Sequence, residues 1–136
     1  MWILALLFSL MTMSCASLPP PPVDKKPSTA MAQPGETALG KIVQASAPRP
    51  GASGFLLETS GNQAFDNRLA LIDRAERSLD LQYYIIEKDE SVRTIMNHLR
   101  RAAARGVHVR LLVDDMSTVG LDMAYLRIDA HPNIEV

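Results

Sequence analysis

The chain has 136 residues, 47% of them hydrophobic, and a formal net charge of -1. That length leaves room for one small domain, and the near-neutral charge gives no support to a general nucleic-acid binder. The single cysteine, Cys15, excludes a disulfide-stapled scaffold.

From Trp2 to Met13 (WILALLFSLMTM) the sequence is apolar over the length of a signal-peptide core. It is too short to cross a bilayer comfortably as a helix, which takes about 20 residues. Cys15 follows the small residue Ser14. Residues 1–15 resemble the lipobox segment of bacterial lipoproteins, in which cleavage before the cysteine leaves it as a lipid-modified N-terminus. Thr12 stands where that family has leucine, and no Lys or Arg precedes the apolar run. The resemblance implies a product of the bacterial cell envelope, associated with the membrane through Cys15. An ordinary secretory signal or uncleaved anchor with an incidental cysteine is the plainer alternative.

Eight of the nine prolines then fall between residues 18 and 51, four of them consecutive at Pro19 to Pro22. Apolar residues are scattered there without period, so no core is expected, and Pro-rich chain extends as a semi-rigid spacer. Residues 16–52 are therefore read as a disordered Pro-rich tether, and residues 53–136 as the globular part.

Gly54 to Glu58 (GFLLE) reads as an edge strand or an extended lead-in. Ser60 and Gln63 have the spacing of a capping box. Phe65, Leu69, Ile72 and Ala75 then line one face of a helix reaching about Arg77. Leu79, Leu81, Tyr83 and Ile85 alternate with Asp80, Gln82, Tyr84 and Ile86, the period-two pattern of a strand. Val92, Ile95, Met96, Leu99 and Ala103 recur at helical spacing. Asp89 or Ser91 stands at the start of that helix as a cap, and Gly106 stands at its end for a left-handed stop. Arg100, Arg101 and Arg105 read as a solvated helix end set against the dipole. Val107, Val109, Leu111 and Val113 alternate once more and run out at Asp114-Asp115. Two strands joined through one helix are a parallel pair with a right-handed crossover. Leu121–Ala130 is a weaker helix, His131-Pro132-Asn133 a turn, and Ile134-Glu135-Val136 the opening of a further strand.

The expected fold class is thus α/β: αβαβα with the start of another strand, in a parallel sheet. So small a sheet leaves its edges open, and parallel sheets need both faces covered. The domain is accordingly expected to be incomplete.

The run Gly54–Asp115 contains NQAFDNRLALIDRAERSLDLQYYI and, after an Arg- and Ala-rich helix, GVHVRLLVDD. This run resembles the opening of the phospholipase D superfamily, most closely its bacterial cardiolipin synthase-like branch, and the likeness continues more loosely to Val136. The resemblance implies a phospholipase D-like fold, phospholipid substrates and no metal cofactor. It implies phosphatidyl transfer or hydrolysis through a phosphohistidine, carried by a later motif, H-x-K-x4-D, present twice. In this sequence His98, His108 and His131 are followed two positions on by Arg100, Arg110 and Asn133, and the last lysine is Lys88. No H-x-K is present, so no catalytic residue is assigned and the chain by itself is expected to be inactive.

Among the remaining polar residues, His98 reads as a boundary histidine, while His108 and Arg110 share a strand face with Leu112. Tyr83 and Tyr84 read as core and groove wall. Asp114 and Asp115 are the candidate strand-end ligands, since α/β sheets bind ligands beyond their carboxyl ends and paired carboxylates hold magnesium. The plainer reading is that aspartates there cap the next turn. Two other functions fit less of the chain. One is a non-enzymatic envelope lipoprotein with a small α/β binding domain. The other is a magnesium-dependent phosphate-handling enzyme using Asp114 and Asp115, with Asp122 and Asp129 nearby at helical, surface-like spacing.

Overall fold

The computed structural model describes residues 29–136 except 48, 50 and 119. The expected signal segment with Cys15, and the expected tether up to residue 28, lie outside the described residues.

A single 3₁₀ turn, Pro34–Glu36, leads into helix α1 (Ala38–Ser46). Then follow α2 (Gly61–Arg74), β1 (Ser78–Tyr83), α3 (Glu90–Ala104), β2 (His108–Val113), a one-turn α4 (Asp115–Thr118), α5 (Asp122–Asp129) and β3 (Ile134–Glu135). The three strands form one parallel sheet in the order β1-β2-β3. From α2 onward this is the expected αβαβα order with a further strand begun, except that the one-turn α4 is inserted before α5.

Helix α1 corrects the tether expectation over its span. No proline stands between Pro34 and Pro48. Thr37 caps the helix by accepting from the Gly40 N–H at 3.0 Å. The Ala38 N–H donates to the Glu76 carboxylate at 3.2 Å, and Arg77 pairs with Glu36 at 2.8 Å. The proline content of the wider stretch hid a proline-free window long enough for two helical turns.

The core lies on one face of the sheet. Val109 and Leu111 of β2 and Ile134 of β3 are buried there, with Leu79, Leu81 and Tyr83 of β1 partly buried beside them. Against them pack Ile72 of α2, Ile95, Met96, Leu99, Ala102 and Ala103 of α3, and Ile128 of α5. The apolar periodicities named most of these residues, but not Ala102 or Ile128. Two alanines at the sheet side of α3 let its backbone approach closely, and both are fully buried.

The ends of α3 follow from local chemistry. Asp89, not Ser91, is the cap: its carboxylate accepts from the Val92 N–H and the Ser91 hydroxyl, each at 2.8 Å. The Val92 N–H, and after it the Ser91 hydroxyl, hold the Asp89 pKa below the ordinary value. At the other end Gly106 adopts φ 93°, in the left-handed region that glycine tolerates. The Val107 N–H reaches back to the Ala102 carbonyl at 3.2 Å, and the Gly106 N–H to that of Ala103 at 2.9 Å. These are the two bonds of a Schellman stop.

Two expectations shift. β1 ends at Tyr83, and Ile86 rather than Ile85 enters the core, leaving Tyr84 and Ile85 exposed. The period of two breaks because the chain bends at Tyr84 toward the start of α3. Gly54–Glu58 is the extended lead-in, with no strand partner among the described residues. The Ser60 hydroxyl accepts from the Gln63 N–H only at 3.5 Å, so the capping box is at most half made.

Candidate functional site

The carboxyl ends of β1 and β2 open onto two neighbouring grooves. The first, of about 280 Å³, has an apolar floor of Ile86, Val92, Met96, Leu121, Tyr125 and Ile128. Glu87, Lys88, Asp89 and Arg93 form its charged rim. Its position follows from the bend after Tyr83: residues 86–89 leave the sheet there and start α3, while α5 returns across the gap. The second groove, about 440 Å³, is lined by Leu111, Val113, Asp115, Thr118, Tyr125, Asp129 and Val136 among others. Tyr125 borders both, and burial pushes its phenol pKa above the ordinary value.

Asp114 sits at the hinge between β2 and α4. Its carboxylate accepts from the Met116 N–H at 3.0 Å, and its carbonyl accepts from the Ser117 and Thr118 hydroxyls. The Asp114 N–H donates to the Tyr83 carbonyl at 3.2 Å, tying this turn to the end of β1. Asp115 is exposed and borders the larger groove. Adjacent in sequence, the two aspartates do different things: one organises the turn, and the other faces solvent beside a cleft. Among the described residues no group of three or more His, Cys, Asp or Glu side chains gathers to hold a metal ion.

The second face of the sheet is polar and open. In register across it stand Asp80, Arg110 and Glu135, one from each strand. The Arg110 guanidinium donates to the Asp80 carboxylate. That hydrogen bond, with the guanidinium's charge behind it, holds the Asp80 pKa below its ordinary value and raises that of Arg110. His108 lies 4.0 Å from Glu135 on the same face, and Leu112 is exposed beside them. The sequence placed His108, Arg110 and Leu112 together but missed the pairing with Asp80. The signal was present, because equal alternation in two parallel strands brings their polar positions side by side.

The histidines occupy three different settings. His98 Nδ1 lies 2.7 Å from Asp73, joining α3 to α2, with a mostly buried side chain. His131 accepts from the Asn133 N–H in the turn before β3, at 3.2 Å. Neither these nor His108 lines either groove. Tyr83 is half-buried beneath the Arg68 guanidinium, 5.6 Å from the ring centre, a cation–π arrangement, whereas Tyr84 lines neither of these two grooves. The arrangement can bind: an apolar floor with charges of both signs at its rim suits an amphipathic molecule.

Residues 69–134 match the family model described as "Cardiolipin synthase, PLD-like domain". Over 87 residues, 64% of the chain, it is 46% identical to cardiolipin synthase C of Escherichia coli. It is 44% identical over 69 residues to a cardiolipin synthase of Staphylococcus aureus, and 34% identical over 120 residues to an uncharacterized protein of Helicobacter pylori. The aligned stretches span 18%, 14% and 22% of those proteins' lengths.

Proposed function

We propose, for a chain that belongs through residues 69–134 to the cardiolipin synthase PLD-like domain family, that it forms the opening part of a phosphatidyl-transferring enzyme acting on membrane phospholipids. The observation that carries this reading is the 46% identity to cardiolipin synthase C over 87 residues. In the proposed reaction a histidine of an H-x-K-x4-D motif attacks the phosphodiester, giving a phosphohistidine. A second such histidine protonates the departing alcohol, and a lipid alcohol or water then takes the phosphatidyl group. Those motifs are not among the 136 residues. This chain's share is architectural. It supplies β1 and β2, the turn organised by Asp114, and the amphipathic grooves at the strand ends.

The test is a graft in which this chain's aligned residues replace the corresponding 87-residue stretch of the E. coli enzyme. Supplied with phosphatidylglycerol, the graft is expected to make cardiolipin, and the 136-residue chain alone to make no product. Phosphatidate in place of cardiolipin would assign hydrolysis rather than transfer. A folded graft that makes neither product would contradict the reading.

Attachment to the envelope membrane through Cys15 belongs to the same proposal. It is supported by the apolar run Trp2–Met13 and the small residue before the cysteine. Labelled palmitate should enter the wild-type protein and not Cys15→Ser. Equal labelling of both would remove this part. Among the described residues no helix is long and apolar enough to cross a membrane.

A further inference from the structure

Thirteen large hydrophobic side chains are exposed among the described residues, and five of them fall in one short stretch of sequence. In α1, Leu39, Ile42 and Val43 form an apolar stripe at helical spacing. Only Leu39 is partly covered, while Ile42 and Val43 are 54% and 68% exposed. Twelve residues after Val43, Phe55, Leu56 and Leu57 stand outside any helix or strand at 96%, 80% and 86% exposure. Three consecutive apolar side chains left this bare are uncommon on a soluble surface and mark an interaction site.

Charge narrows the partner. Between Glu36 and Glu58 there is no aspartate or glutamate, and the charged residues are Lys41 and Arg49. Acid-free, weakly basic chain bearing exposed leucine and phenylalanine has the composition of a segment that lies in an anionic lipid interface.

The backbone points the same way. Residues 53–59 have no backbone hydrogen-bond partner among the described residues. Such a backbone cannot enter hydrocarbon, but at headgroup depth water and lipid oxygens satisfy it while the side chains reach inward. A strand added to the free edge of β1 is the competing partner. The sheet has one covered and one polar, open face, so an added strand would bury alternate side chains only. Phe55-Leu56-Leu57 does not alternate, whereas a lipid interface accepts all three.

We propose that residues 37–47 and 51–57, with Phe55, Leu56 and Leu57 as the inserting side chains, are a docking surface for an anionic phospholipid bilayer. The choice of surface rests on the phospholipid reading above; exposure and charge carry the rest.

The test uses the full chain as Cys15→Ser with Leu56→Cys, carrying an environment-sensitive nitrobenzoxadiazole label. A second protein carries the label at Tyr84→Cys, an exposed position outside the stretch. Vesicles containing phosphatidylglycerol are expected to shift the emission at position 56 to the blue and raise it several-fold. Pure phosphatidylcholine should do so weakly, and position 84 should change little. Phe55→Ser with Leu57→Ser, added to the position-56 protein, should remove most of the response. A label at position 56 that stays water-like on anionic vesicles would overturn the proposal. So would a blue shift that appears without vesicles and grows with protein concentration, since a second copy would then be the occupant. Docking without transfer in the graft would sink the enzyme reading and leave this one standing; transfer without docking would do the reverse.

Discussion

Arg105 shows how far one side chain reaches beyond its own helix. It closes α3, yet its guanidinium donates to the carbonyls of Ile72, Asp73 and Ala75, at 3.1, 3.0 and 3.4 Å. Those groups belong to the end of α2, where helix carbonyls lack intrahelical partners and partial negative charge collects. The sequence placed Arg105 correctly in a last turn but assigned it to its own dipole, because a partner 30 residues away leaves no local trace. Arg105→Ala should lower unfolding free energy by about 1 kcal/mol, the scale of one net hydrogen bond at a partly exposed site. Arg105→Lys should recover only part of that, since an ammonium lacks the planar fork; a urea melt reads both. The Asp80–Arg110 pair gives a pH signature. The Asp80 pKa is lowered in the folded chain, chiefly by the hydrogen bond from Arg110. Its contribution is therefore present above the ordinary carboxylate pKa and is lost as pH falls through the lower folded value. Both groups are partly exposed, so solvent screening keeps the effect small. Asp80→Asn should flatten that part of the stability–pH curve, and an unchanged curve would show that the pair contributes nothing.

At the scale of elements, pattern carried most of the fold and failed where elements end. The helical period placed the α3 core face, and Leu99, at 1% exposure, stands at its centre. Leu99→Ala should cost about 2–5 kcal/mol, the range for a large-to-small change in a packed core. A loss below about 1 kcal/mol would mean that the helix does not seat on the sheet as described. β1 was read two to three residues too long because Tyr84, Ile85 and Ile86 suit a strand as well as Leu81 and Tyr83 do. What ends it is the turn into α3, and Asp89 fixes that turn from downstream. The 3₁₀ turn and α1 were hidden by the prolines around them. The Thr37 cap and the ties to Glu76 and Arg77 hold that window in place. The candidate site was legible in part. Asp114 and Asp115 fell at a strand end, as alternation required. The grooves beside them were not legible, because Tyr125 and Ile128 come from the weakest helical pattern in the chain.

For the molecule as a whole, a parallel sheet with one covered and one open face is the central physical fact. Parallel strands are ordinarily covered on both sides, and here Asp80, Gln82, His108, Leu112 and Glu135 remain exposed. The aligned stretches span 22% or less of the relatives compared, which gives a physical setting for an open face: longer relatives have chain with which to cover it. Leu112→Asp should accordingly leave the 136-residue chain within about 0.5 kcal/mol of wild type, as surface changes do. In the E. coli graft the same substitution should lower both stability and transfer. Equal tolerance in the two settings would show that this face stays bare. The most direct measurement is made in cells. The graft would be expressed in E. coli lacking its own cardiolipin synthases, and membrane cardiolipin quantified by mass spectrometry. Residues that build a working PLD-like domain should restore cardiolipin to a level within tenfold of that given by the parental enzyme. A graft that accumulates as folded protein while cardiolipin stays at background would contradict the assignment.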